Sequence, residues 1–159
     1  MSVNKNRPHV LILPEDRANR RIINGFHLAL DFKVQRQFQP LPEANGWENV
    51  LQQFRSVHVA EMDRCPDRFM VLVIDFDGKD RLESAKAEIR AQLQNRVFIL
   101  GVWTEPEQLN LGPLEQVGMQ MAKDCREGTD EIWNHELLRH NTGELRRMRE
   151  QLLSILFPR

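Results

Sequence analysis

Residues 69–79 read Phe69-Met70-Val71-Leu72-Val73-Ile74-Asp75-Phe76-Asp77-Gly78-Lys79. Six apolar residues run without a break into two aspartates separated by one residue. A segment apolar on both of its faces is a strand covered on both sides, the position of an inner strand in a parallel sheet. The aspartates then fall at its carboxyl end, the edge where open α/β sheets bind ligands. Two carboxylates this close repel each other unless one is protonated or a cation is shared. A hard divalent cation such as Mg²⁺ or Mn²⁺, which takes oxygen ligands, resolves the repulsion.

The segments around this strand alternate in the same manner. His9-Val10-Leu11-Ile12-Leu13 predicts a first strand, and Asp16 is placed to cap a helix over Arg17 to Leu30 that carries Ile22, Ile23, Phe26 and Leu30 on one face. Lys33 to Leu41 alternates Val34, Arg36 and Phe38 with glutamines and predicts a half-exposed strand near a sheet edge. Pro40, Pro42, Asn45 and Gly46 make a turn before a helix with Trp47, Val50, Leu51 and Phe54 at helical spacing. Met62 to Arg68 is expected to be a loop, Asp80 to Gln94 a helix and Arg96 to Trp103 a fourth strand. Beyond it, Pro113 to Lys123 and Asp130 to Phe157 are expected to be helical, with a break near Gly143. Strands alternating with helices predict an α/β fold with a central, mainly parallel four-stranded sheet and helices on both faces. The chain is expected to form one domain over 1–159, with an α/β core over 8–110 and a helical C-terminal extension over 111–159.

Composition narrows the function classes. Hydrophobic residues are 41% and charged residues 28% of the chain, an ordinary globular balance, and no apolar run approaches the roughly 20 residues of a membrane span. The opening Met1-Ser2-Val3-Asn4-Lys5-Asn6-Arg7-Pro8 carries no apolar signal region. Cys65 and Cys125 are too few and too far apart for a metal knuckle, and are expected to be reduced thiols of a cytoplasmic protein. The net charge of −1 does not advertise nucleic-acid binding. Two local clusters, Arg17/Arg20/Arg21 and Arg139/His140/Arg146/Arg147/Arg149, fit solvated helix faces better than phosphate contacts. There is no Gly-rich phosphate loop and no Gly-x-Ser-x-Gly. His135, Glu136 and His140 do not have the i, i+4 histidine spacing of a helical zinc site, so a structural or surface role is expected.

Three expected strands end in acidic residues: the first at Glu15 and Asp16, the third at Asp75 and Asp77, the fourth at Glu105 and Glu107. In a parallel sheet these ends share one edge. Carboxylates gathered there need a cation, and one or two Mg²⁺ or Mn²⁺ ions so held can align a phosphodiester and activate water. The plainer explanation is that acidic residues cap helices and favour their positive N-terminal ends.

Leu11-Ile12-Leu13-Pro14-Glu15-Asp16, Val73-Ile74-Asp75-Phe76-Asp77 and Asn45-Gly46-Trp47-Glu48-Asn49-Val50-Leu51 together resemble the motifs of the Toprim domain. That domain is shared by topoisomerases, bacterial primases, recombination and repair proteins, and the overcoming-lysogenization-defect nucleases. The resemblance spans residues 8 to 110. It implies that Glu15 acts as general acid or base, that Asp75 and Asp77 hold Mg²⁺ with Glu15 as a further ligand, and that Glu105 or Glu107 supplies an extra acidic group. Family members usually carry Glu-Gly at the first motif, where this chain has Glu15-Asp16. Asp16 is counted as an additional acidic candidate, and Lys79 and Arg17 as phosphate-contacting candidates.

The expected function is thus a Mg²⁺-dependent, nuclease-like action on nucleic-acid phosphodiesters. The alternative is a non-catalytic module of the same fold that binds nucleic acid or protein. Asp75-Phe76-Asp77-Gly78 also looks like the motif of haloacid dehalogenase-like phosphatases, in which the first aspartate is the nucleophile. That motif normally sits on an early strand, and Lys79 stands where a threonine is expected. A receiver domain would need a fifth strand ending in lysine. The apolar residues of the C-terminal segment are expected to pack on the sheet, or, if part is left exposed, to form a homodimer interface.

Overall fold

The computed structural model describes residues 3–158; Met1, Ser2 and Arg159 lie outside them, and with them the start of the expected signal-free N-terminus. Four strands, β1 (His9–Pro14), β2 (Phe38–Pro40), β3 (Arg68–Val73) and β4 (Val97–Leu100), form one sheet in the order β2-β1-β3-β4. Every pairing is parallel. The helices are α1 (Arg17–Leu28), α2 (Trp47–Gln53), α3 (Val59–Arg64), α4 (Lys79–Ala87), α5 (Leu114–Glu127), α6 (Thr142–Gln151) and α7 (Leu153–Leu156). No helix among the described residues is long and apolar enough to cross a membrane.

The period-2 alternation of the inner strands sorts side chains onto two faces. Val10, Ile12 and Val71 enter one core with α1, α5 and the C-terminal helices; Leu11, Leu13, Met70 and Leu72 enter the other with α2, α3 and α4. The C-terminal stripe belongs to the first core: Ile132, Trp133, Leu138, Leu145, Met148, Leu152, Leu153 and Leu156 are all buried there. It covers the sheet, as expected for a packed C-terminal extension.

Several element bounds depart from expectation. Lys33 to Leu41 is not one strand: a 3-10 turn at Gln35–Gln37 precedes the short β2. Val34 and Phe38 are both buried in one core, so their four-residue spacing marked a turn, and the alternation with Arg36 was incidental. The expected loop from Met62 is helical to Arg64. A π turn at Phe54–His58 joins α2 to α3, and its extra residue rotates Val59 and Met62 back towards the core that holds Phe54. The helix expected over Asp80 to Gln94 ends at Ala87, and Leu93 reaches the core from a separate 3-10 turn. In the C-terminal segment, turns precede α6, so the break lies before Thr142 and Gly143 sits in the first helical turn.

β4 forms the sheet edge, and α6 with the turn before it caps that edge. Ile99 N–H donates to Glu144 Oε2 (2.8 Å) and Gly101 N–H to Asn141 Oδ1 (3.1 Å). Asn141 Nδ2 (2.9 Å) and His140 Nε2 (2.8 Å) bond the Gly101 carbonyl, and Arg147 reaches the carbonyls of Gln94 and Val97. Side chains thus do the work of a fifth strand and close an edge open to foreign pairing. His140 has a structural role here, and so has His135, whose Nε2 lies 3.1 Å from the Leu109 carbonyl oxygen.

The closest helix pair is α1 with α5, which cross at glycines. A Cβ on Gly118 would fall 1.8 Å from the Ile22 carbonyl oxygen, and one on Gly25 1.8 Å from that of Glu115. Backbone cannot yield as a flexible side chain does. Gly118→Ala is therefore expected to cost about 2–3 kcal/mol or more, read as a lower urea midpoint at unchanged slope. Gly143→Ala meets nothing within 4 Å, and its better helix propensity is expected to add about 0.5 kcal/mol.

Candidate acidic metal site

The register of β1 against β3 builds the site. Pro14 pairs with Val73, so the next residues of both strands leave the ladder side by side. Glu15 N–H donates to the Val73 carbonyl (2.8 Å), and Asp75 N–H donates back to Glu15 Oε2 (2.6 Å). The Glu15 carbonyl in turn accepts Asn45 N–H (2.7 Å) and Gly46 N–H (3.1 Å), which fixes the turn that opens α2. Gly46 has φ +137°, a conformation that other residues rarely adopt.

Asp16 caps α1, as expected: its Oδ1 accepts Asn19 N–H at 2.9 Å. The same cap brings Asp16 beside Asp75. One carboxylate oxygen each from Glu15, Asp16 and Asp75 lies within 4.8 Å of the others. Three hard oxygen donors at this spacing, with no histidine or cysteine in the group, can hold a metal ion.

Electrostatics agree with the crowding. Burial, and then the nearby Asp16, Glu15 and Glu107 charges, push the Asp75 carboxyl up to about 7, against a hydrogen bond from Asn19 that favours the ionised form. Burial likewise raises Glu15, opposed by the Asp75 and Trp47 backbone N–H groups and by Arg81. Glu15 is 7% exposed, so its carboxylate has little water to fall back on.

Two residues that sequence reasoning missed complete the site. Asn19 is wholly buried, and its Nδ2 donates to Asp16 Oδ1 (3.0 Å) and Asp75 Oδ1 (2.9 Å), tying the two carboxylates together. Its Oδ1 is buried without a hydrogen-bond partner. The available signal was an asparagine three residues past a cap, inside a helix whose interior disfavours it. Arg81 Nη1 lies 3.9 Å from Glu15 Oε1 and donates to the Asp75 carbonyl (3.2 Å); its Nη2 lies 3.4 Å from Asp77 Oδ2. The i, i+4 spacing from Asp77 was the legible sign of it.

The other candidates fall outside the cluster. Asp77 turns away: the chain takes a left-handed conformation there (φ +46°), and its side chain is 69% exposed. Asp75 is therefore grouped with Glu15 and Asp16, and the expected partner Asp77 lies outside that group. Glu105 and Glu107 are exposed, because β4 pairs only through Leu100 and the chain beyond it continues along Ile74 and Phe76 before turning. Glu107 acts on Asp75 only as a nearby charge. Lys79 points to solvent and pairs with Glu83 at 3.6 Å, and Arg17 is exposed at the start of α1. The basic clusters are largely paired: Arg20 with Glu43, Arg21 with Glu115, Arg147 with Glu144 and Arg149 with Asp130.

Asp75 gives a testable pH dependence. Its carboxyl rises from 3.8 to about 7 on folding, so the folded chain binds a proton that the unfolded chain has released. Stability linked to this group is therefore full below pH 4 and falls as pH rises towards 7 and above. Asp75→Asn, which retains an oxygen for Asn19, is expected to stabilise the metal-free protein at pH 8 by about 1–2 kcal/mol, allowing for solvent access. The gain should vanish near pH 4, as followed by urea unfolding in a chelator.

Set beside protein-family models, curated proteins and solved structures, the chain matches none.

Proposed function

We propose that this chain is a divalent-metal-dependent, Toprim-like domain acting on nucleic-acid phosphodiesters, with Mg²⁺ or Mn²⁺ as its ion. One observation carries the reading: Glu15, Asp16 and Asp75 converge within 4.8 Å at the carboxyl edge of a parallel sheet. Glu15, Asp16 and Asp75 would hold the ion, which supplies charge stabilisation at the phosphate and a more acidic bound water. Of the two Glu15 oxygens, Oε2 is committed to Asp75 N–H, and Oε1 faces Arg81. Burial raises the Glu15 pKa, so this carboxyl holds a proton more readily than an exposed one and is the proposed general acid or base. Asn19 holds Asp16 and Asp75 in position and is a positioning residue.

A second reading has its own support. Asn19 and Arg81 already compensate part of the acidic charge without any metal. A module that binds nucleic acid or protein without cutting would need no more than this.

Calorimetric titration with Mn²⁺ tests the site. The intact protein is expected to bind the ion and release a proton on doing so, while Asp75→Asn binds at least about 10-fold more weakly. Equal binding by the two removes the site. Cleavage of single- and double-stranded DNA and RNA in Mg²⁺ or Mn²⁺ then separates enzyme from module, and Glu15→Gln is expected to slow cleavage by about 100-fold or more. Metal binding without cleavage favours the module; hydrolysis of small phosphate esters, lost in Asp75→Asn, favours a phosphatase with an aspartyl nucleophile.

A further inference from the structure

Arg81 is held differently from Arg21, which also faces a carboxylate on another element. Arg21 grips Glu115 with a close fork, Nε at 3.0 Å and Nη2 at 2.7 Å from one carboxylate oxygen. Arg81 makes one ordinary hydrogen bond, 3.2 Å to the Asp75 carbonyl, but its carboxylate contacts are long, 3.9 Å to Glu15 and 3.4 Å to Asp77. Its guanidinium stacks 5.4 Å from the centre of the Trp47 ring, and its side chain stays 30% exposed. Among the described residues, no other Lys, Arg or His side chain comes within 4.0 Å of the Glu15, Asp16 or Asp75 carboxylates. A cation this close to buried carboxylates, yet bound to none of them by a short fork, is placed to leave.

Resting on the metal-site reading above, we infer that Arg81 is a displaceable internal cation. It offsets part of the acidic cluster's charge while no metal is bound. When a divalent ion takes Glu15, the guanidinium moves off along the Trp47 ring, and its planar fork is free to take two oxygens of a backbone phosphate. Metal entry and phosphate capture are then coupled through one side chain, and a nucleic-acid backbone phosphate is the ligand such a fork fits.

The test is Arg81→Met, which keeps a long apolar stem against Trp47 and removes the charge. Mn²⁺ binding, followed by calorimetry without nucleic acid, is expected to tighten by about 5-fold or more, since the competing cation is gone. Binding of a single-stranded oligonucleotide in Ca²⁺ is expected to weaken by about 5- to 10-fold, with a salt dependence shallower by about one phosphate contact. Arg81→Lys keeps the charge without the fork, so it should leave Mn²⁺ affinity near that of the intact protein and still weaken the oligonucleotide. If Arg81 only pins α4 in place, Arg81→Met lowers the melting temperature and leaves Mn²⁺ affinity unchanged, which overturns the inference while the metal site stands. Undiminished oligonucleotide affinity overturns the phosphate contact. Failure of both the intact protein and Arg81→Met to bind Mn²⁺ overturns the metal-site reading itself.

Discussion

The parallel pairing of β1 with β3 is the constraint on which the rest of this protein depends. Six residue pairs, from His9↔Arg68 to Pro14↔Val73, run through the middle of the sheet with both faces covered. At its amino end the ladder is closed by a buried polar contact: Arg68 Nε donates to His9 Nε2 at 3.0 Å, and His9 Nδ1 donates to the Arg7 carbonyl at 2.7 Å. Burial holds the His9 pKa below its usual value, so the neutral ring accepts from arginine without a clash of charge. At its carboxyl end the same ladder delivers Glu15 and Asp75 side by side. A slip of one residue would send every inner side chain to the wrong core and separate the two carboxylates.

The two layers of helices are fixed by different means. On one face α1 and α5 approach so closely that backbone meets backbone at Gly25 and Gly118. That crossing holds α1 firmly, and α1 carries Asp16 at its cap and Asn19 three residues on. On the other face the π turn between α2 and α3 keeps a longer helical path over the core. The fourth strand, which has no neighbour on its outer side, is completed by Asn141, Glu144 and His140. The packing of both faces and the closed outer edge of the fourth strand hold the sheet whose carboxyl end brings three acidic groups together.

The repulsion among these groups is stored locally. Asp75, pushed up to about 7, and the orphan Oδ1 of Asn19 are features that a fold selected for stability alone would have removed. Both lie beside Glu15 and Arg81 at the carboxyl edge of the sheet. Such a grouping is characteristic of sites that bind or transfer charge.

The sequence by itself determined the alternation of strands and helices, the parallel sheet, the burial of 69–74 on both faces, and the meeting of Glu15 with Asp75. These follow from apolar periodicity and from the rule that parallel strands end on one edge. It did not determine which further acids join them. Asp77 follows Asp75 by two residues, so a continued strand would present both on one side. The chain instead leaves the extended conformation at Asp77 and turns that side chain to solvent. Asp16 comes in because a helix cap, set by the α1–α5 packing, points it at Asp75. Asn19 and Arg81 lie on two different helices, one on each side of the pair, and only the packing of both helices against the β1–β3 edge brings them to the carboxylates. Periodicity gives the direction of a side chain within an element, whereas the distance between elements is set by packing that no local pattern records.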